Sequence, residues 1–91
     1  MKTYQIIVTG RVQGVGYRAH VHKLALAKGL KGNVRNLSDG SVKIILQGNE
    51  DDLSSMEKII YNKAHPFMKV STSQVQERPH TKTYENFKIV Y

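Results

Sequence analysis

A chain of 91 residues is the length of one compact domain and is long enough to bury a single core. It has no cysteine, which excludes disulfides, thiolate metal sites and cysteine nucleophiles, and no run approaches the ~18 apolar residues of a transmembrane helix. Fourteen Lys and Arg against seven Asp and Glu give a formal charge of +7, a field that draws anions.

Met1 to Gln5 lacks the apolar region of a signal peptide and enters a strand at once, so a cytoplasmic protein is expected. Tyr4 to Thr9 is β-branched and apolar and reads as a buried strand. The stretch Gly10-Arg11-Val12-Gln13-Gly14-Val15-Gly16-Tyr17-Arg18 follows, and after it the apolar spacing changes to a helix rhythm. Tyr17 to Lys28 is the first helix, with Tyr17, Val21, Leu24 and Ala25 as its apolar stripe and Gly29 as the residue after its end. Leu26 falls off that stripe.

Leu30 to Leu37 reads as a second strand, with Gly32 a weak spot or bulge. Ser38-Asp39-Gly40 is a hairpin turn, and Ser41 to Gln47 the third strand, with Val42, Ile44 and Leu46 on its core face. Asn49 caps a second helix whose first turn carries Glu50, Asp51 and Asp52 and whose stripe is Leu53, Met56, Ile59 and Ile60. Ala64-His65-Pro66 ends it. Phe67 to Gln76, rich in Ser, Thr and Gln, reads as an edge strand, 77–86 as a charged loop, and Phe87 to Tyr91 as a short last strand. The order β-α-β-β-α-β plus a terminal strand predicts an α+β protein: a ferredoxin-like two-layer sandwich, an antiparallel sheet with two helices on one face.

A glycine-rich turn between a strand and a helix start leaves backbone N–H groups without intrahelical partners, which suits an anion and above all a phosphoryl group. Arg18 adds a permanent charge with a planar fork of donors. A plain turn, whose glycines only let the strand enter the helix, stays open on these grounds. Gly14 to Ala19 matches the G-x-G-x-x-A pattern, but the chain is too short for a dinucleotide fold, and no Gly-Lys-Ser/Thr of a triphosphate loop follows. His20 and His22 lie about 200° apart on a helix and do not share a metal. Asp39 reads as a turn residue and Asn36, on the face of Val34, as a structural amide or a group projecting into a site. The basic residues are spread along the chain, which favours small-anion attraction over a nucleic-acid footprint.

Two of these stretches resemble a known family. Gly10 to Arg18 is similar to the first signature of the acylphosphatases, and Gly29-Leu30-Lys31-Gly32-Asn33-Val34-Arg35-Asn36-Leu37-Ser38-Asp39-Gly40-Ser41-Val42 to their second. The separation, the element order and the Phe87-Lys88-Ile89 ending fit as well, so the resemblance covers almost the whole chain. It implies an enzyme that hydrolyses the carboxyl–phosphate bond of acyl phosphates to carboxylate and inorganic phosphate, without metal or organic cofactor. It maps the phosphate cradle onto the backbone N–H groups of Gln13, Gly14, Val15, Gly16, Tyr17 and Arg18, and the catalytic pair onto Arg18 and Asn36. Arg18 and the cradle then stabilise charge on the transferring group, and the Asn36 amide orients a water. Tyr17 stands where the family more often has Phe, Asn33 where an apolar residue is common, and Lys43 where an acidic one is common. The expected partner is a small acyl phosphate, with phosphate as product or inhibitor, no nucleic acid and no membrane; the expected state is a monomer. The rival readings are a non-catalytic phosphate-binding module and an RNA-binding module of the same layout, the latter disfavoured because the third strand has no aromatic.

Overall fold

The computed structural model describes residues 1–62, 69–79 and 82–91. The elements are β1 (Lys2–Arg11), α1 (Tyr17–Ala27), β2 (Lys31–Asn36), β3 (Val42–Gly48), α2 (Glu50–Asn62), β4 (Lys69–Arg78) and β5 (Phe87–Val90). The expected helix break at Ala64-His65-Pro66 lies outside the described residues.

The strands form one sheet in the order β4-β1-β3-β2-β5. β1 pairs antiparallel with both β3 and β4, and β2 antiparallel with β3. The sheet is mixed rather than wholly antiparallel, because β5 pairs parallel with β2. The direction follows from the path of the chain. β4 runs opposite to β1, the return segment reverses it, and β5 therefore enters along β2, which shares the direction of β1. The edge position expected for the polar fourth strand is observed. Gly32 is not a bulge: the β2–β3 register runs through it unbroken. Its role is close approach, since a Cβ there would meet the Ile45 carbonyl oxygen at 1.9 Å. The register shift occurs instead between Thr9 and Gly10, beyond which β1 goes on pairing with β4 through Gly10 opposite Val70 and Arg11 opposite Lys69.

Register assigns each strand residue to a face. Ile6, Val8, Val34, Val42, Ile44 and Leu46 face the helices and are fully buried with Val21, Ala25, Leu53 and Met56. Ile60 and Phe87 close the same cluster, while Ile59 is only half-buried and Leu26 is exposed. Asn49 caps α2: its Oδ1 accepts from the Asp52 N–H at 2.8 Å, and its Nδ2 donates to Asp52 Oδ2 at 2.9 Å. Three carboxylates follow in the first turn, complementing the helix dipole. α1 has no such cap: Gly16 precedes it in the left-handed region, and among the described residues no side-chain hydrogen bond caps it.

The face away from the helices is partly covered too, which the alternation of β3 does not announce. Gln47 is fully buried there. Its Nε2 donates to Thr3 Oγ1 at 3.0 Å and to the Lys82 carbonyl at 2.7 Å, and its Oε1 accepts from the Tyr84 N–H at 2.9 Å. A buried amide thus fixes the segment that carries the chain from β4 toward β5.

Candidate active site

The site lies where β1, α1, β2 and β5 meet. β1 ends at Arg11, Val12 is buried, and the chain turns through Gly14 at φ 72° and Gly16 at φ 82° before α1 begins at Tyr17. Both glycines occupy a region that side chains with a Cβ rarely enter. Gly16 also starts the helix, its carbonyl accepting the His20 N–H at 3.1 Å. The first N–H groups of α1 have no intrahelical acceptor and no side-chain cap, so this turn combines free donors with the positive end of a helix dipole.

A cavity of about 150 Å³ opens there, lined among others by Gly14, Gly16, Tyr17, Arg18, Asn36 and Tyr91. Arg18 is half-buried; its Nη1 donates to the Val90 carbonyl at 2.9 Å, and its guanidinium carbon lies 4.7 Å from the centre of the Tyr91 ring. One donor is used to hold the fork, and the others remain for an anion. Asn36 is the last residue of β2 and is on the helix-covered face, as parity with Val34 requires. Its Oδ1 is buried with no hydrogen-bond partner among the described residues. A buried acceptor left unpartnered costs about 1–3 kcal/mol, so this oxygen is set for a donor that arrives with the substrate.

Gln13 and Val15 do not line this cavity. Gln13 Nε2 instead donates to the carbonyls of Leu37 and Ser41, both at 2.8 Å. The turn is thereby tied to the hairpin that follows Asn36, whose ends are joined by the Leu37 N–H and the Ser41 carbonyl at 2.8 Å. Val15 packs against the core cluster. The Tyr17 side chain is an anchor: the ring is buried, its hydroxyl has no partner among the described residues, and burial pushes its pKa well above the usual value. Asp39 is a turn residue, as expected, accepting from the Ser41 N–H and hydroxyl, which hold its carboxyl below the ordinary range. Among the described residues no group of three His, Asp or Glu could hold a metal ion, and the His22 ring lies 5.9 Å from that of Phe87.

The family model for acylphosphatase matches residues 4–89. The chain belongs to the acylphosphatase family. It is 47% identical to the acylphosphatase of Ligilactobacillus salivarius and 43% to that of Bacillus licheniformis, over the full length of both partners in each case. The crystal structure of acylphosphatase from Bacillus subtilis superimposes with a TM-score of 0.93 at 42% identity, covering 100% of both chains. The activity is accordingly that of an acylphosphatase, a hydrolase, and the ferredoxin-like fold is the family's.

For an acylphosphatase, both signatures converge as the sequence implies: Gly14, Gly16, Tyr17 and Arg18 of the first and Asn36 of the second share one cavity. What sequence reasoning missed is the contribution of the C-terminal strand. Ile89 and Tyr91 line the cavity, and the Val90 carbonyl holds Arg18 at it, because β5 lies beside β2. Alternation in Phe87 to Tyr91 signals a strand, but nothing local in it signals the neighbour it pairs with.

Proposed function

We propose that this acylphosphatase binds the phosphoryl group of a small acyl phosphate in the turn of residues 13–18, with Arg18 as the charged donor, and that Asn36 orients the attacking water. The unpartnered Asn36 Oδ1, buried in the same cavity as Arg18, is the observation that carries this reading. The oxygen accepts a hydrogen bond from one O–H of the water and turns the water's lone pair toward phosphorus on the side opposite the acyl oxygen. As the water's oxygen bonds to phosphorus and the acyl oxygen–phosphorus bond breaks, charge on the equatorial oxygens is met by the N–H groups of the turn and by Arg18. An amide is a poor base, so the water's proton passes to a phosphate oxygen. The leaving carboxylate is a weak base and departs without a strong general acid. Inorganic phosphate, as product, competes for the same turn. The protein acts as a single-domain monomer in the cytoplasm.

The test is hydrolysis of benzoyl phosphate in the presence of EDTA by the parent chain and by Asn36→Ala. Turnover by the parent, with none by a folded variant that still binds phosphate, is the expected result. Loss of phosphate binding along with turnover would place Asn36 in the cradle instead of beside the water.

A further inference from the structure

Dispersal of the basic residues along the sequence argues against a nucleic-acid partner, but folding undoes that dispersal. On the face of the sheet away from the helices, register brings together Lys31, Arg35, Lys43, Arg78 and Lys88. Glu77 is the one carboxylate within the strands, and it pairs in register with Tyr4 on the helix side, where Lys2 Nζ lies 3.9 Å from it. Most other carboxylates are on α2 or in the Asp39 turn. Among the described residues none of the five cations is in an ion pair, and Arg35 stands directly opposite Lys43 in the ladder. Like charges in that position destabilise a sheet. A fold that keeps them there gains from an anion lying across them.

The face is also shaped. A cavity of about 320 Å³ is lined by Gln5, Lys43, Ile45, Arg78, Lys82 and Tyr84. Lys82 Nζ sits 4.9 Å from the centre of the Tyr84 ring, and both residues are held at the backbone by buried Gln47. Cations line the margins, with an aromatic ring, an isoleucine floor and the amide of Gln5 between them. Phosphates need only the cations. The ring, the apolar floor and the amide match bases.

We propose that this open face is a second binding site of the protein, for single-stranded nucleic acid. Five strands about 4.8 Å apart give a face roughly 19 Å wide, and beside the 82–84 segment that lies over part of it this face accepts an extended strand lying across it. Asn36 and its cavity belong to the opposite face, so both ligands can be bound at once.

The experiment follows the fluorescence anisotropy of a labelled single-stranded oligouridylate titrated with the protein across a salt series. Two double variants of equal net charge are compared: Lys43→Glu with Arg78→Glu on the open face, and Lys23→Glu with Lys58→Glu on the exposed surface of the helices. Benzoyl phosphate turnover monitors folding in each. The expected result is binding that weakens with salt, a loss of about tenfold or more in the open-face variant, and a log–log salt slope shallower by about 1.4 for the two lost contacts. The helix-surface variant should retain most of the affinity. Equal losses in both variants, no binding at low salt, or tighter capture of an inorganic polyphosphate of the same charge would each overturn the proposal.

Discussion

The strands that build this protein present two different chemistries on their two sides. Toward the helices they offer Ile6, Val8, Val34, Ile44 and Leu46, all fully buried, and at the end of that face Asn36. Away from the helices the same strands offer Gln5, Asn33, Arg35, Lys43 and Lys88. On the covered side a polar group is expensive unless it is paired, and the amide oxygen of Asn36 is left without a partner at a cavity. On the open side charge is cheap, because water screens it, and cations can be collected there without a partner for each. The two sides therefore report function differently: one through the unsatisfied oxygen of Asn36 at its cavity, the other through an unbalanced sum.

The sharpest way to probe this contrast is to shorten one residue on each side of the same strand. Leu46→Ala opens a cavity in the core and should cost about 2–5 kcal/mol in urea unfolding. Lys43→Ala, three residues earlier and on the other face, should stay within about 0.5 kcal/mol of the parent, because it removes a like-charge opposition as well as a stem. A large loss from Lys43→Ala would show that the open face contributes to packing and would remove the contrast.

At the functional end of the covered face, Arg18→Ala should lower turnover of benzoyl phosphate by at least ~10²-fold and weaken inhibition by phosphate, as expected when a donor to the transition state is deleted. Near-parental kinetics in a folded variant would exclude that role. The variant also frees the Val90 carbonyl and the Tyr91 ring, so Arg18→Lys is the informative companion. It keeps charge but loses the fork, and an intermediate rate would separate the two contributions.

The covered face was largely legible in the sequence. Alternation in β3, the stripe of α2 and the Asn49 cap all express one physical requirement, that apolar atoms avoid water locally. The two signatures named the cavity for the same local reason, since glycines and Arg18 sit together in the chain as they do in space. The open face was not legible. Lys31, Lys43, Arg78 and Lys88 are far apart in sequence, and only the strand order β4-β1-β3-β2-β5 makes them neighbours. The same holds for the burial of Gln47, which comes from the 82–84 segment laid over it. Pairing between distant strands is a non-local property, and no window along the chain contains it.

Gln13 tests how finely the site is held. Its amide N–H groups bridge the Leu37 and Ser41 carbonyls, so Gln13→Glu places a carboxylate against two acceptors. Ionised at neutral pH, the new carboxylate repels the two carbonyls of the hairpin; protonated in acid, it can donate one bond. We expect kcat to fall about tenfold at neutral pH, with phosphate inhibition changed less, and to recover as pH is lowered (a shift of 1.4 kcal/mol per tenfold). Gln13→Leu should lose the same activity at every pH. Parental kcat at neutral pH in both variants would make the side chain dispensable to the placement of Asn36.

The smallest expected effect concerns Tyr17, where the helix-covered face keeps a hydroxyl it does not pair. Burial raises the pKa of this phenol above the ordinary value near 10.0. The unfolded chain therefore releases the proton first as pH rises. The stability associated with the neutral phenol is intact below pH 10 and is lost progressively above it. Tyr17→Phe removes both the unpartnered hydroxyl and this alkaline loss. The variant should be more stable than the parent by about 1 kcal/mol near neutrality, because a buried polar atom without a partner is no longer dehydrated, and the gap should widen in alkaline solution. Thermal melts of the two proteins across an alkaline pH series read out both quantities. Turnover should be unchanged, since the ring remains and only the oxygen is gone. A drop in kcat with unaltered stability would instead make that hydroxyl part of the cavity's chemistry, and the covered face would then hold two functional polar atoms where Asn36 now stands alone.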